Sequence, residues 1–424
     1  MNGYYTIYSD RIPALLESLV PADLTLTLAA RFAIIADMTR NLNLASAFGY
    51  VVFLLVAATL AGCHGQSPSN LPAPTILGKS AETWEGLHIY RDFAYGPRPD
   101  APGEGEGYES SITGHDPGGR IYHSHRSGQF FDFIFDATRE IRPDAPVYVN
   151  VHGGGWCSPA DKDGESMWFL RRLAKRGFLV VNMNYQMQPN IFDERVKMER
   201  RENATFLDMI RDIDTLATYL KRDFLPRVGV EPKKFAIGGG SAGAYLSLLY
   251  AYDQDNPAVL EAKLRHEYRV GFAVDVVGPV DLTSPGMLAM AVGGKVPKGG
   301  MLSKSLIDRF ATLVCWLVDD DVKGLVARGD LEGAKSILRK FSPTWLATPS
   351  SVPTILAYCR LHPFSDTDGM VPVDCYEGLM RRLDELGVPH VGEIRSWRVH
   401  GWLRDGYEDW LADQAQAFAQ RHLR

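Results

Sequence analysis

The stretch that most constrains the fold of this chain runs from Phe235 to Tyr245 and reads Phe-Ala-Ile-Gly-Gly-Gly-Ser-Ala-Gly-Ala-Tyr. A short apolar run meets a glycine cluster, and residues that favour helix follow from Ala244 to Ala251. This order predicts a strand, a very tight turn and a helix, and the turn requires glycine because side chains there would collide with neighbouring backbone. Ser241 lies in the turn, where the N–H groups at the start of the helix favour developing negative charge.

Gly239, Ser241 and Gly243 fit the pattern G-x-S-x-G, in which a strained turn presents a nucleophilic serine above the edge of a sheet. The chain has 40 glycines, so a glycine-rich turn without catalytic meaning explains the bare pattern equally well. The interpretation of Ser241 as a nucleophile therefore depends on the predicted strand and helix around it and on partners elsewhere in the chain.

Strands and helices alternate through most of the remaining sequence. Apolar runs predict strands at Phe130–Phe135, Val147–Val151, Phe178–Asn182, Phe272–Val277, Thr354–Cys359 and Val391–Trp397. Helical periodicity predicts helices at Asp163–Arg176, Thr205–Phe224 and Val373–Leu386. This alternation predicts an α/β fold, a mostly parallel, doubly wound sheet with helices on both faces.

Two stretches depart from this alternation. Residues 285–348 have helical patterning at Ser303–Val318 and Leu331–Lys340 and follow the strand after the serine turn, so they are expected to form a lid over Ser241 or an ordinary surface insertion. Between Ala81 and about His125, repeated glycines predict loops.

A second motif, His152-Gly153-Gly154-Gly155-Trp156, follows the predicted strand at Val147–Val151. Consecutive glycines leave backbone N–H groups free to point at a ligand, which an oxyanion hole requires. In this interpretation Gly153 and Gly154 supply donors, and Ala242, the residue after the serine, supplies another.

An acid and a histidine follow the last two predicted strands. Asp368 opens Asp-Gly-Met-Val-Pro at the carboxyl end of a strand, where α/β sheets carry functional groups. Asp366 is a rival, although the spacing to Val-Pro favours Asp368, and either could be a solvated turn residue in isolation. His400 precedes Gly401 just beyond the final strand and would alone be an ordinary loop residue.

From about Phe130 to its end, the chain resembles the α/β-hydrolase superfamily, and within it the esterases and lipases with an H-G-G-G-W motif. These include hormone-sensitive-lipase-like enzymes and bacterial feruloyl or carboxylesterase-like enzymes. The resemblance is carried by residues 152–156, Asn184-Tyr185, 239–243, 368–372 and His400-Gly401. Hormone-sensitive-lipase-like enzymes usually have an acid where this chain has Gly240, and an N-terminal cap rather than a later insertion.

The resemblance implies a serine carboxylesterase with the triad Ser241, Asp368 and His400, the chain order of α/β-hydrolases. His400 would take the serine proton, Asp368 would orient the imidazole, and water would release the acyl group. A small ester is the expected substrate, and no cofactor is expected. The cysteines lack zinc-site spacing, so no metal is expected either.

Three aromatic residues flank these motifs. Trp156, Tyr185 and Tyr245 are expected to line the acyl or alcohol pocket, or else to be core or surface aromatics.

Two alternatives remain. An exopeptidase of the prolyl-oligopeptidase type shares fold and triad but carries a large N-terminal propeller, for which the stretch before Phe130 is too short. A non-catalytic binding protein would be expected to have lost a triad member. The formal net charge of −6 gives no basic footprint for nucleic acid, so no nucleic-acid partner is expected, and the oligomeric state is left open.

The N-terminal region resembles a bacterial lipoprotein signal. Gly49–Ala61 is an uncharged apolar run of signal-peptide length, Arg40 precedes it, and Leu60-Ala61-Gly62-Cys63 resembles a lipobox. Alternatively, this run forms a buried core helix. The resemblance implies cleavage before Cys63, lipidation of its thiol, and an exported enzyme anchored to the membrane of the bacterial cell envelope.

Four segments follow from this interpretation. Residues 1–37 are either a start assigned too far upstream or an uncharacterised extension, and residues 38–62 are the signal peptide. Residues 63–80 contain the lipidated cysteine and the tether. Residues 81–424 form the catalytic domain, which includes the insertion 285–348. Export permits disulfides, and a Cys359–Cys375 bridge is one possibility.

Overall fold

The computed structural model describes residues 75–96, 114–115, 121–122, 129–157, 162, 167–192, 197–231, 233–294, 302–401, 403 and 405–424. They belong to one compact unit, Gln66–Arg424. The predicted signal peptide, Cys63 and the tether up to residue 74 lie outside the described residues. Within the described ranges, no helix combines the length and the apolar character needed to cross a bilayer.

Nine strands form a single sheet in the described part of the chain. They are β1 (Glu82–Trp84), β2 (Leu87–Ala94), β3 (Phe130–Asp136), β4 (Val147–Val151), β5 (Leu179–Met183), β6 (Lys234–Gly240), β7 (Arg269–Val276), β8 (Thr354–Arg360) and β9 (His390–Ser396). Their order across the sheet is β1-β2-β3-β5-β4-β6-β7-β8-β9. Neighbours from β5 to β9 are parallel, and the pairs β1–β2, β2–β3 and β3–β5 are antiparallel. The mostly parallel sheet predicted from the sequence is therefore confirmed.

The longer helices are α1 (Met167–Lys175), α2 (Phe206–Tyr219), α3 (Ala242–Asp253), α4 (Pro285–Ala291), α5 (Lys304–Val318), α6 (Val322–Ala327), α7 (Leu331–Lys340), α8 (Val373–Leu386) and α9 (Tyr407–His422). One layer contains α1 and α9, which pack against each other, and another contains α2 and α3. Every residue of α3 is buried, because this helix lies on β4, β6 and β7 and is covered by α2. A helix that is buried all round has no polar face, which explains its mostly apolar sequence.

Helix α2 illustrates how local sequence sets the bounds of an element. Thr205 caps it: its Oγ1 accepts from Asp208 N at 3.3 Å, and Asp208 Oδ2 accepts from Thr205 N at 3.1 Å. This reciprocal pair satisfies N–H groups that have no partner within the helix. The predicted helix Thr205–Phe224 is confirmed, with its last turn, Leu220–Phe224, wound as a wider π-helix.

The region between Ala81 and His125, predicted to be loops, instead contains β1 and β2, so this prediction is wrong for residues 82–94. A β-bulge between Tyr90 and Phe93 shifts the pairing of β2 with β3. Residues Leu87 to Tyr90 are all buried, so polar and apolar residues do not alternate along the strand. Both features remove the two-residue periodicity by which strands are recognised.

The insertion 285–348 is helical, as predicted. Its helices α5 and α7 coincide with the two patterned stretches, and α5 begins after Ser303, whose Oγ accepts from Leu306 N at 3.1 Å. Helix α5 packs against both α4 and α6.

The Cys359–Cys375 disulfide, given above as one possibility, is not formed. Cys157, Cys315, Cys359 and Cys375 form no disulfide among the described residues. Cys375 lies in the first turn of α8, where its thiol donates to Asp281 O at 3.7 Å and lies 3.4 Å from Ser284 Oγ. Burial raises the pKa of this thiol well above its ordinary value, so it is held as a neutral, unreactive group.

Candidate active site

Ser241 lies between β6 and α3 in a strained backbone conformation, with φ 53° and ψ −119°. Its N–H donates to Val276 O at 2.7 Å, which fixes the turn to β7. A Cβ atom at either Gly239 or Gly243 would lie 1.9 Å from Val151 O, closer than any side chain can approach. Both glycines are therefore required, and the serine turn packs directly on the carboxyl end of β4.

The chain continues from β4 into the glycine motif, so this loop lies beside the serine turn. Gly154, Gly155 and Trp156 have φ values of 98°, 65° and 59°, and this left-handed run turns the loop sharply. The Trp156 indole donates through Nε1 to Ala242 O at 3.2 Å. The loop that carries Gly153 and Gly154 is thus tied to the first residue of α3, as an oxyanion hole shared between them requires.

Asp368 and His400 are in direct contact. His400 Nδ1 and Asp368 Oδ2 form a 2.6 Å hydrogen bond, and His400 N donates to Asp368 O at 3.0 Å. The other carboxylate oxygen of Asp368 accepts from Met370 N at 3.0 Å and Val371 N at 2.8 Å. Asp368 is buried whereas its rival Asp366 is exposed. The carboxylate is therefore fixed by backbone, with one oxygen aimed at the imidazole.

All these groups lie at one edge of the sheet. Gly153 follows β4, Ser241 follows β6, Asp368 follows β8 and His400 follows β9. Because these strands are parallel, their carboxyl ends meet at the same edge, which is where open α/β sheets place functional groups.

Trp156, Tyr185 and Tyr245 are almost completely buried. The Tyr185 hydroxyl donates to His152 O at 3.0 Å, and its ring stacks on the His152 ring with centroids 4.4 Å apart. The Tyr245 hydroxyl donates to Phe341 O at 2.5 Å, and the Trp156 and Tyr245 rings meet edge to face. These contacts support the glycine loop from beneath, and a role in lining a substrate pocket stays a prediction.

A buried charge cluster, which the sequence analysis did not single out, holds the chain beyond the glycine loop. Lys162 Nζ lies 2.9 Å from Asp132 Oδ1 and 2.9 Å from Asp92 Oδ1, and Arg91 NH1 lies 2.7 Å from Asp132 Oδ2. Burial alone would raise the pKa of the Asp132 carboxyl, but Lys162 and Arg91 together lower it. The cluster fixes Lys162 to β2 and β3, and no local sequence signal could reveal it.

Asp275, on β7 next to the serine turn, is a second buried acid that sequence reasoning missed. Its Oδ1 accepts from Gly278 N at 2.8 Å, and its Oδ2 lies 3.0 Å from the Tyr358 hydroxyl, which also bonds Gly278 O. Burial raises the pKa of Asp275 from 3.8 to about 7. When neutral, Asp275 can donate its proton to the Tyr358 oxygen while Tyr358 donates to Gly278 O.

The stability of Asp275→Asn relative to the wild type is expected to be greater at pH 9 than at pH 5. The folded-state pKa exceeds the ordinary 3.8, so wild-type stability is highest below that value and falls as pH rises towards about 7. Each pH unit in that window costs about 1.4 kcal/mol. Asparagine cannot ionise, yet it reproduces both hydrogen bonds of the neutral acid. Urea unfolding at both pH values tests this prediction, with the exposed Asp366→Asn as control. An equal difference in the free energy of unfolding between Asp275→Asn and the wild type at both pH values would contradict it.

Part of the chain matches a known protein family. Residues 133–312 match the model of the BD-FAE family. Among the described residues, no group of three or more His, Cys, Asp or Glu side chains is placed to hold a metal ion.

Curated relatives of this chain include two from Mycobacterium tuberculosis. The probable carboxylic ester hydrolase LipM is 30% identical over 212 residues, covering 50% of this chain and 41% of LipM. The esterase LipQ is 27% identical over 194 residues, covering 44% of this chain and 39% of LipQ. The chain thus spans about two fifths of the length of the curated relatives it matches.

Among solved structures, an inhibited esterase B from Lactobacillus rhamnosis is similar with a TM-score of 0.53. The match covers 89% of this chain and 96% of that one at 14% identity. At this identity the likeness shows the fold alone, and it confirms the predicted α/β-hydrolase fold.

Proposed function

We propose that this protein is a serine carboxylesterase that works through an acyl-enzyme on Ser241. The observation that carries the proposal is the Asp368–His400 hydrogen bond, formed at the same sheet edge as the strained Ser241. The names of the mycobacterial relatives, a carboxylic ester hydrolase and an esterase, support the reaction class.

In the proposed mechanism, Asp368 holds Nδ1–H of His400, which leaves Nε2 to act as the base. Nε2 takes the proton of Ser241 Oγ as this oxygen attacks the ester carbonyl carbon. The carbonyl oxygen becomes an oxyanion that accepts hydrogen bonds from the N–H groups of Gly153, Gly154 and Ala242, each worth about 3 kcal/mol of barrier. The alcohol then leaves with the proton from His400.

Deacylation repeats these steps with water in place of the serine. His400 takes a proton from water as its oxygen attacks the acyl carbon, and the same N–H groups bind the second oxyanion. Collapse returns the proton to Ser241 and releases the carboxylic acid. The strained conformation of Ser241 fits this role, because strained backbone is concentrated at sites where geometry must be fixed in advance.

The test is hydrolysis of p-nitrophenyl esters and p-nitroanilides, followed by labelling with a p-nitrophenyl alkylphosphonate and mass spectrometry. We expect ester turnover, loss of turnover on labelling, and one adduct on the peptide that contains Ser241. Turnover confined to anilides would favour the exopeptidase alternative. A folded protein that neither turns over nor becomes labelled would be a non-catalytic binding protein.

We also propose that the mature protein begins at a lipidated Cys63 and is anchored in the bacterial cell envelope. The support is the sequence alone, namely the apolar run that ends in Leu-Ala-Gly-Cys. In Triton X-114 partition of the protein expressed in bacteria, the wild type should enter the detergent phase and Cys63→Ser the aqueous phase. Equal partition of the two proteins would refute the anchor.

A further inference from the structure

Residues 184–192, here called the strap, leave β5 and run beside the glycine loop. The Tyr185 hydroxyl donates to His152 O at 3.0 Å, and Gln188 N donates to Trp156 O at 3.0 Å. The strap is therefore hydrogen-bonded to the glycine loop at both ends of the H-G-G-G-W motif.

The helical insertion holds the strap from the other side. On α5, Arg309 donates through Nε to Ile191 O at 2.7 Å and through NH2 to Asn190 O at 3.3 Å. The next residue, Phe310, places its ring 6.3 Å from the Trp156 ring. Within the described residues the insertion thus contacts the strap and the glycine loop, instead of packing only on the outer surface.

Phe192 is the last described residue of the strap before residue 197. Its N–H donates to Asn190 Oδ1 at 2.9 Å, which fixes the turn that presents its ring. A Cβ atom on Gly155 would lie 2.9 Å from Phe192 Cε2, so the ring lies directly against the backbone of the glycine loop. The residue is nevertheless 41% exposed, so part of its apolar surface beside this loop is uncovered.

The strand order decides which part of an ester would meet this ring. Ser241 follows β6, His400 follows β9 on one side, and the strap follows β5 on the other. The leaving alcohol must face His400, because His400 supplies its proton. The acyl group is then directed away from His400, towards β4, β5 and the strap.

We propose that Phe192 is a specificity-determining residue that forms a wall for apolar acyl chains, and that Arg309 is a positioning residue that holds the strap under it. The inference rests on the proposed esterase function and names its acyl site. An acyl chain long enough to reach Phe192 covers the exposed ring, whereas an acetyl group is too short to do so. Chain-length preference therefore depends on Phe192, and turnover of acetate does not.

The test measures kcat and KM for p-nitrophenyl acetate, butyrate and hexanoate with the wild type, Phe192→Ala and Phe192→Leu. For Phe192→Ala we expect kcat/KM for hexanoate to fall about tenfold, through KM, and that for acetate to change less than twofold. Phe192→Leu should retain most of the preference. The control is Trp345→Ala. Trp345 is an exposed aromatic residue of the insertion, and its indole donates to Thr283 Oγ1 rather than to the strap. This variant should leave the dependence of kcat/KM on acyl chain length unchanged.

The assignment of Phe192 would be overturned if Phe192→Ala lowered kcat/KM equally for the three esters. It would also be overturned if kcat/KM for hexanoate stayed the same or rose. A wild type that hydrolyses none of the esters would refute the esterase proposal itself, so the two failures can be told apart.

Arg309 is tested by a double-mutant cycle with Phe192. Arg309→Ala should reproduce the hexanoate defect without lowering kcat for acetate, and Arg309→Lys should restore part of it. Because both residues act through the same ring, the double variant should be no worse than Phe192→Ala. Additive losses, or an equal loss of acetate turnover in Arg309→Ala, would show that Arg309 does not act through Phe192.

Discussion

Ser241→Ala is expected to reduce kcat for p-nitrophenyl butyrate by about a million-fold while the protein stays folded. The methyl group fits where the hydroxyl was, because the strained turn is set by Gly239, Gly243 and the Ser241 N–H bond to Val276 O, none of which involves Oγ. Without a nucleophile, the remaining catalysis comes only from the oxyanion donors and from substrate binding. Stopped-flow and long-incubation assays, with circular dichroism on the same samples, measure both properties.

The matched control is Ser247→Ala on the same helix, α3. Ser247 is completely buried, and its Oγ has no hydrogen-bond partner among the described residues. Removing an unsatisfied buried hydroxyl should leave activity unchanged and stability equal or slightly higher. If Ser241→Ala kept more than about one per cent of activity, the acyl-enzyme mechanism on Ser241 would be wrong.

The sequence predicts elements well where the signal is local. The strand–turn–helix around Ser241 and the glycine loop each need specific residues within a few positions, because the backbone there approaches other backbone too closely for side chains. Strands such as β4 are buried on both faces and therefore have nearly continuous apolar sequences. Helix α8 was predicted with its observed bounds, since Pro372 precedes it and Gly387 ends it in a left-handed conformation.

Elements whose signal is weak or distant were missed. Helix α9 packs on α1, and its buried face includes the small side chains of Ala412, Ala415 and Ala419, so its apolar stripe is faint. The Lys162–Asp132 ion pair and the Arg309 contacts with the strap join segments far apart in the chain. Their existence depends on how the sheet and the insertion pack, which no local pattern encodes.

Asp368→Asn is expected to lower kcat about 10⁴-fold with little change in folding. Asparagine Oδ1 can still accept from Met370 N and Val371 N, so the loop geometry is kept. Its amide nitrogen would then face His400 Nδ1 and donate to it, which forces the proton onto Nε2. An imidazole protonated at Nε2 cannot accept the proton of Ser241, so the variant loses the base without losing any ring contact.

The exposed neighbour supplies the control that decides which acid acts. Asp366→Asn should keep wild-type kcat, because Asp368 is the carboxylate that bonds the imidazole at 2.6 Å. The kcat values and melting temperatures of both variants are measured side by side. If only Asp366→Asn lost kcat at an unchanged melting temperature, Asp366 would be the partner of His400 and the proposed triad would be wrong. A defect in Asp368→Asn that is matched by a loss of folded protein would make the carboxylate a structural anchor of the loop rather than the partner of His400.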